Sequence, residues 1–241
     1  MEFAPVLRAE WLKVRSLRSL PGTLLGLFAA TTGFSALAGA SGTTGPESDA
    51  LFTALSGVVP GQIAAIAFGT LAVSSEFPGG GLRLSLAAVP RRGRWFAAKA
   101  AVVAAATFPV GLLTAATALL AARAGLGAAA SGLTAGEQVR GVVGCGVYLT
   151  LMALFAAGLT LLLRSGTATL ALLIPFVLVV AFVIGDAAGT VADFLPDRAG
   201  QVVLHETYGR TPGPWTGLGV TALWTAAALL AGTWSLRRRD A

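Results

Sequence analysis

The chain has 241 residues, of which 55% are hydrophobic and 12% are charged, and its formal net charge at pH 7 is +6. Soluble globular domains have about 25% charged residues, so this composition excludes a water-soluble fold and predicts an all-α polytopic membrane protein. The one cysteine, Cys145, excludes an intrachain disulfide.

Six apolar stretches are long enough to cross the hydrocarbon core of a bilayer, which takes about 20 helical residues. They are residues 21–39, 51–73, 95–122, 141–163, 167–185 and 215–236. The third is too long for a perpendicular crossing, so it is expected to tilt or protrude, and Pro175 predicts a kink in the fifth. Gly22/Gly26 and Gly57/Gly61 have the GxxxG spacing of close helix contacts, which makes them candidates for a dimer seam.

The placement of the basic residues predicts the orientation of the spans. With a cytoplasmic N-terminus and six spans, 13 of the 17 basic residues fall on the cytoplasmic side and most of the acidic residues fall outside. We therefore predict that both termini are cytoplasmic. Because the positive charge lies on short segments beside apolar spans, no nucleic-acid partner is expected.

Several functions are excluded by what the sequence lacks. The predicted spans carry no charged residue through their middle, which argues against a proton-coupled pump. No GxxxxGK[ST] phosphate-binding loop contains Lys13 or Lys99, so the chain is not expected to hydrolyse ATP itself. The only histidine, His205, falls in an outer loop, where we expect it to be solvated, and no catalytic, cofactor or metal site is predicted.

The connection between spans two and three, residues 76–94, has an unusual composition. Glu76 closes the second span, and residues 78–81, Pro-Gly-Gly-Gly, break the helix. In residues 82–89 three leucines alternate with other residues, as in a strand, yet two of them share a helical face with Val89. Because an isolated strand would leave its backbone unpaired, we predict a short interfacial helix that ends at Pro90.

This order of residues resembles the loop between spans two and three in the membrane subunits of type-2 ATP-binding-cassette (ABC) transporters. In that family the loop has a Glu, a Gly turn, a leucine-rich short helix, a Pro, basic residues and a Lys. The matching positions are Glu76, Gly80, Arg83, Leu86, Pro90, Arg91, Arg94 and Lys99. The segment 7–19, with Glu10, Trp11 and Lys13, is similar to the family's opening segment. The chain departs from the family in having Gly80-Gly81 where Gly-Thr is usual.

The resemblance implies a single-domain permease subunit of a bacterial exporter in the cell membrane. Two permease subunits, identical or related, would pair and be driven by two separate ATPase subunits, which would hold the ATP and Mg. The short cytoplasmic helix would dock on the ATPase. The resemblance assigns to that coupling the matching positions that lie within residues 76–94. The cargo would be a drug, antibiotic, peptide or lipid-like amphiphile, and no substrate-binding residue is identified.

The resemblance also implies where the N-terminal helix and the last outer loop are placed. The N-terminal helix, residues 1–20, would lie along the membrane surface in contact with lipids, through an apolar face that Glu10 interrupts. We expect Glu10 or Glu76 either to pair with a nearby arginine or to be solvated. The outer loop, residues 186–214, would form short re-entrant helices or an ordinary surface loop.

Two other functions remain open on the sequence. A self-contained secondary transporter or channel would move solute without ATP. A membrane scaffold or sensor would use the cytoplasmic loop only as an anchor, so Glu76 and the glycine turn could be replaced freely.

Overall fold

The computed structural model describes residues 3–41, 49–89, 91–126, 132–180, 189–206 and 212–238. Every regular element in these ranges is helical, which confirms the predicted all-α class. Pro90, the end of the fifth predicted span and parts of the outer loop lie outside the described residues. The α-helices are α1 (Phe3–Ser16), α2 (Ser19–Ala40), α3 (Ala50–Leu55), α4 (Val58–Ser74), α5 (Gly81–Ala88), α6 (Arg92–Leu126), α7 (Ala135–Leu163), α8 (Gly166–Pro175), α9 (Pro196–Gln201) and α10 (Pro214–Arg238).

Among the described residues, four helices are long and apolar enough to cross a membrane, namely α2, α6, α7 and α10. A fifth span is possible if α4 is joined to the segment Pro78–Ala88, from which it is bent by 58°. These helices are consistent with a multi-pass membrane protein. The count of six spans and the cytoplasmic location of both termini stay predictions.

The second predicted span, residues 51–73, is divided in the structure. Helix α3 ends at Leu55 and α4 begins at Val58, so this stretch consists of two helices. The reason lies at Gly57, where a Cβ atom would come within 1.9 Å of the carbonyl oxygen of Thr31 on α2. The hydroxyl of Ser35 accepts a hydrogen bond from the Gly57 N–H at 3.1 Å, which satisfies the backbone at the break.

The fifth predicted span begins as α8 and changes its geometry at Pro175. A π-helical turn, Phe176–Val180, follows this proline directly. Proline removes a backbone donor, and a π-turn is one of the few ways in which a helix accommodates that loss. The structure therefore shows a change of helix type at Pro175, and the predicted kink stays a prediction.

Small residues let the long helices pack closely around α7. A Cβ on Gly69 of α4 would lie 1.9 Å from the carbonyl oxygen of Ala153, and one on Gly158 would lie 2.7 Å from the backbone of Ala228 on α10. Glycine is required at both crossings because the backbones approach each other directly. Helix α7 is therefore the centre of the bundle.

The two glycine pairs proposed as a dimer seam have different surroundings. Gly57 and Gly61 both contact Thr31 of α2 within the same chain, so they are already used for intramolecular packing. Gly22 and Gly26 on α2 have no atom within 4 Å of an added Cβ. Of the two pairs, only the second leaves a face that another molecule could approach.

The end of the bundle that carries α5 has its own small hydrophobic cluster, which we call the inner core. It joins α5 to the ends of four longer helices. Its buried members are Val73, Leu82, Leu86, Trp95, Phe96, Ala157, Leu161 and Leu236. Because these residues come from α4, α5, α6, α7 and α10, the short helix α5 packs where several candidate spans end.

Candidate functional site

The turn before α5 depends on two glycines with left-handed backbone angles. Gly79 has φ 64° and Gly80 has φ 75°, and α5 begins at the next residue, Gly81. Residues with a Cβ adopt this region only at a cost of about 1–2 kcal/mol. The Gly80-Gly81 departure from the family pattern therefore does not prevent a helix, because the left-handed turn precedes α5.

Helix α5 is amphipathic, as its leucine spacing predicts. Leu82 and Leu86 are buried in the inner core, whereas Leu84 is 72% exposed and Arg83 is also exposed. The helix is preferred over a strand because its backbone hydrogen bonds are internal. Leu84 and Arg83 therefore lie on the face of α5 that points away from the inner core.

A cluster of four charged side chains lies behind α5. Glu10 and Lys13 come from α1, Glu76 from the turn after α4, and Lys99 from the second turn of α6. Glu10, Glu76 and Lys99 are 3%, 5% and 4% exposed, and Lys13 forms the accessible edge. We call these four residues the ionic cluster.

Each lysine of the ionic cluster uses all three of its N–H donors. The Nζ atom of Lys99 contacts Glu10 Oε2, Glu76 Oε1 at 2.9 Å and the carbonyl oxygen of Ala72 at 3.1 Å. The Nζ atom of Lys13 contacts Glu10 Oε1 at 3.0 Å, Glu76 Oε1 at 2.7 Å and the hydroxyl of Ser85 at 3.2 Å. Each ammonium group is therefore fully satisfied in this one geometry.

Two neutral side chains extend the cluster to α5 and α6. The Ser85 hydroxyl donates to Glu76 Oε2 at 2.8 Å, and the Trp95 indole N–H donates to Glu10 Oε1 at 3.1 Å. Lys99 Nζ also lies 5.3 Å from the centre of the Trp95 ring, within range of a cation–π contact. The cluster thus fastens α1, α5 and α6 to one another.

The pKa values of the two groups outside the spans follow from this arrangement. Burial alone would raise the pKa of Glu76, but the charge of Lys99 and the hydrogen bonds from Lys13, Lys99 and Ser85 lower it below its ordinary value. Burial alone would lower the pKa of Lys13, but its bonds to Glu76 and Glu10 raise it above its ordinary value. Both groups are therefore charged at neutral pH.

The structure brings together only some of the site residues predicted from the sequence. Glu10, Lys13 and Glu76 meet in the ionic cluster, where both carboxylates are buried and paired with lysines. Both stated alternatives, a pairing with an arginine and a solvated carboxylate, were therefore wrong. Ser85 and Trp95 were missed, because neither residue type signals an ionic site by itself. Leu86 lies in the inner core instead.

The remaining predicted site residues lie around the cluster. Arg91 is exposed just before α6, and Arg94 is half-buried in its first turn. Trp11, 40% exposed, lines an apolar groove between α1 and α6 with Leu7 and Val102. This position suits an interfacial helix whose aromatic side chain meets lipid.

A groove of about 500 Å³ opens between α1 and α5, directly over the ionic cluster. Its wall includes Val6 and Ala9 of α1, Leu84 and Ser85 of α5, and Trp95 of α6. The exposed leucine of α5 therefore stands at the rim of a concave surface rather than on a flat one.

His205 lies on the opposite side of the described bundle, where its side chain is 37% exposed and is also held by its neighbours. Its Nδ1 lies 2.8 Å from Asp49 Oδ2, and its ring stacks on Phe52 with centroids 4.3 Å apart. Glu206 Oε1 accepts a hydrogen bond from the Leu51 N–H at 2.8 Å. These contacts tie residues 205–206 to the start of α3.

A comparison with known protein families finds no family model that matches the chain, and a comparison with curated protein sequences finds no significant match. The likeness of residues 76–94 to the ABC permease loop therefore depends on the residues and geometry of this chain alone.

Proposed function

We propose that the chain is the membrane subunit of an ABC exporter, with six spans, both termini cytoplasmic and a location in a bacterial cell membrane. It would form the substrate pathway as a pair of permease subunits. Two separate ATPase subunits would supply the energy. The observation that carries this proposal is the ionic cluster that fastens a short, partly exposed helix to α1 and α6.

The exposed face of α5 is suited to dock on an ATPase subunit. Leu84 is 72% exposed at the rim of the groove between α1 and α5, and Arg83 is exposed beside it. Burying a leucine side chain in a partner gains about 1.5–3 kcal/mol. A hydrophobic anchor next to a cation would give both affinity and orientation on a partner surface.

The inner face of α5 would transmit the motion of the partner. Leu82 and Leu86 pack in the inner core, which includes the ends of α4, α6, α7 and α10. Glu76 links the turn before α5 to Lys99 on α6, and Ser85 links α5 itself to the same carboxylate. A displacement of α5 would therefore act on several spans together.

A second groove would suit an amphiphilic cargo. It has a volume of about 760 Å³ and lies between α4 and α8. Arg164 and Ser165 are at its wall together with apolar residues such as Leu71 and Ile174. A ligand with one polar end and an apolar body fits such a lining.

The test is to purify the tagged chain in mild detergent from the cells that produce it and to measure vanadate-sensitive ATP hydrolysis of the purified complex. The variant Leu84→Asp is compared with the matched control Ser16→Asp, which adds the same charge to the exposed end of α1. We expect the wild type and Ser16→Asp to retain an ATPase. Leu84→Asp should lose tenfold or more of it, because the loss of the leucine anchor exceeds about 1.4 kcal/mol.

Leu84 is exposed, so its replacement should leave the fold intact, and protection of the buried thiol of Cys145 from labelling checks this. The proposal fails if no ATP hydrolysis accompanies the wild-type chain, or if a folded Leu84→Asp protein keeps all of it. Transport by the isolated chain in vesicles without nucleotide would instead support a self-contained transporter.

A further inference from the structure

A buried carboxylate lies in the segment between α8 and α10, which we call the outer segment (residues 189–206). Asp197 is 3% exposed, and its Oδ1 atom has no hydrogen-bond partner among the described residues. Ionised carboxylates are strongly disfavoured in such surroundings unless they are paired. The cost becomes much smaller when the group binds a proton.

Helix α9, which carries Asp197, is packed closely on two sides. A Cβ on the neighbouring Gly200 would come within 2.4 Å of the Tyr148 ring, and one on Gly217 of α10 would lie 2.1 Å from the carbonyl oxygen of Ala199. The Thr221 hydroxyl of α10 donates to the Pro196 carbonyl oxygen at 2.7 Å. Helix α9 is thus pressed against both α7 and α10.

Among the described residues, Asp197 itself forms no ion pair of the kind seen in the ionic cluster. On α7, the Tyr148 hydroxyl donates to Gln62 Oε1, and Gln201 Nε2 donates to the same hydroxyl at 3.2 Å. A charged group that acts on Asp197 is Arg198, the next residue of α9, and Asp193 precedes Asp197 by four positions, in the 3₁₀ turn. Helix α10 brings only apolar and hydroxyl side chains to this contact, since its arginines lie at its far end.

We propose that Asp197 is a proton-binding site of the outer segment. Its carboxyl group is neutral while α9 is packed against α7 and α10. When the outer segment opens, the O–H bond ionises, the proton passes to water and the carboxylate is hydrated. Opening and loss of one proton are therefore a single coupled event.

The direction of the pH dependence follows from the burial. Desolvation raises the pKa of Asp197 above its ordinary value, although the backbone N–H groups of Arg198 and Asp197 and the Arg198 charge oppose it. The packed state is therefore fully favoured below the ordinary aspartate pKa. It loses this advantage as the pH rises through the raised value, so raising the pH favours opening.

The first test reads the protonation state directly. Infrared spectra of the wild type are recorded as a function of pH, and the C=O stretching band of a protonated carboxylic acid is followed. We expect a band that persists above the ordinary aspartate pKa, disappears in Asp197→Asn, and survives in Asp193→Asn and in the exposed control Glu137→Gln. Should the asparagine variant fail to fold, Asp197→Glu must shift this band instead of removing it.

The second test reads the opening of the outer segment. The buried Val203 is replaced by cysteine in a Cys145→Ala background, and labelling by a water-soluble maleimide is measured with aspartate or asparagine at position 197. The ratio of the two rates at each pH cancels the pH dependence of the thiol. We expect this ratio to rise by up to about tenfold per pH unit between the ordinary and the raised pKa of the carboxyl group.

Two results overturn the proposal. One is the absence of the infrared band from the wild type above the ordinary aspartate pKa, or its loss in Asp193→Asn rather than in Asp197→Asn. The other is a labelling ratio that does not change with pH. Neither readout requires an ATPase partner, so both are independent of the proposed exporter function.

Discussion

Replacing Lys99 by methionine should destabilise the fold strongly, because the ionic cluster loses its only fully buried cation. Lys99 is 4% exposed and contacts both Glu10 and Glu76 as well as the carbonyl oxygen of Ala72. Methionine keeps most of the length and the apolar stem of lysine. The change therefore removes charge and hydrogen bonds with little loss of packing.

The expected magnitude follows from the charges that remain. Without Lys99, two buried carboxylates share a single cation, Lys13, whose side chain is 36% exposed. Removing one partner of a buried ion pair costs about 3–5 kcal/mol. The matched variant Lys13→Met should cost roughly 1 kcal/mol, because water reaches that edge of the cluster and replaces the lost contacts.

The free energy of unfolding can be measured by titration with SDS in mixed micelles, with labelling of the single cysteine as the signal. Cys145 is the chain's one thiol and is fully buried, so it reacts only when the bundle opens. Adding Glu10→Gln to Lys99→Met should recover part of the loss by removing one unpaired charge. The reasoning is refuted if Lys99→Met is as stable as the wild type, or if Lys13→Met is damaged equally.

Three further predictions use the same labelling assay. The stability that Glu76 contributes is complete above its ordinary pKa of 4.5 and is lost as the pH falls through its lowered value, so the difference between wild type and Glu76→Gln should shrink in acid. Gly80→Ala should cost about 1 kcal/mol because its φ is 75°, whereas Gly22→Ala, with open space around it, should be neutral or slightly stabilising. Replacing Glu10, Glu76 and Lys99 together by methionine should leave the free energy of unfolding near that of the wild type. The same triple variant should lose vanadate-sensitive ATP hydrolysis in the complex. A stable triple variant with unchanged hydrolysis would show that the charges are not needed for coupling.

The sequence was sufficient to predict features that depend on local composition. The helical class follows from the long apolar runs, and the amphipathic helix α5 follows from the spacing of Leu82 and Leu86. The break before α5 follows from the glycines, two of which have positive φ values. Glu10, Lys13 and Glu76 were identified through the family resemblance. It gives their order along the chain, but it does not show which side chains they contact.

What the sequence did not predict depends on contacts between distant residues. The break between α3 and α4 arises because Gly57 meets the backbone of α2. The sequence around Gly57 does not show which residues of α2 it will meet. The pairing of His205 with Asp49 joins residues 156 positions apart. Asp197 looked like one more acid in a polar loop, because its burial is created by α7 and α10.

The ionic cluster and the inner core have different physical roles at the junction of α1, α5 and α6. Apolar contacts such as those of Leu82 and Leu86 are nearly independent of direction, so they stabilise α5 in many neighbouring positions. A lysine with three satisfied donors between two carboxylates is stable in one position only, and its burial gives little net stability because desolvation opposes the attraction. The cost of burying Glu10, Glu76 and Lys99 is therefore reasonable at a helix junction where a fixed geometry matters more than a gain in stability. Helix α5 is joined to this cluster through Ser85, which is hydrogen-bonded to Lys13 of α1 and to Glu76, the partner of Lys99 on α6. A displacement of α5 is therefore expected to disturb the contacts that α1 and α6 make there.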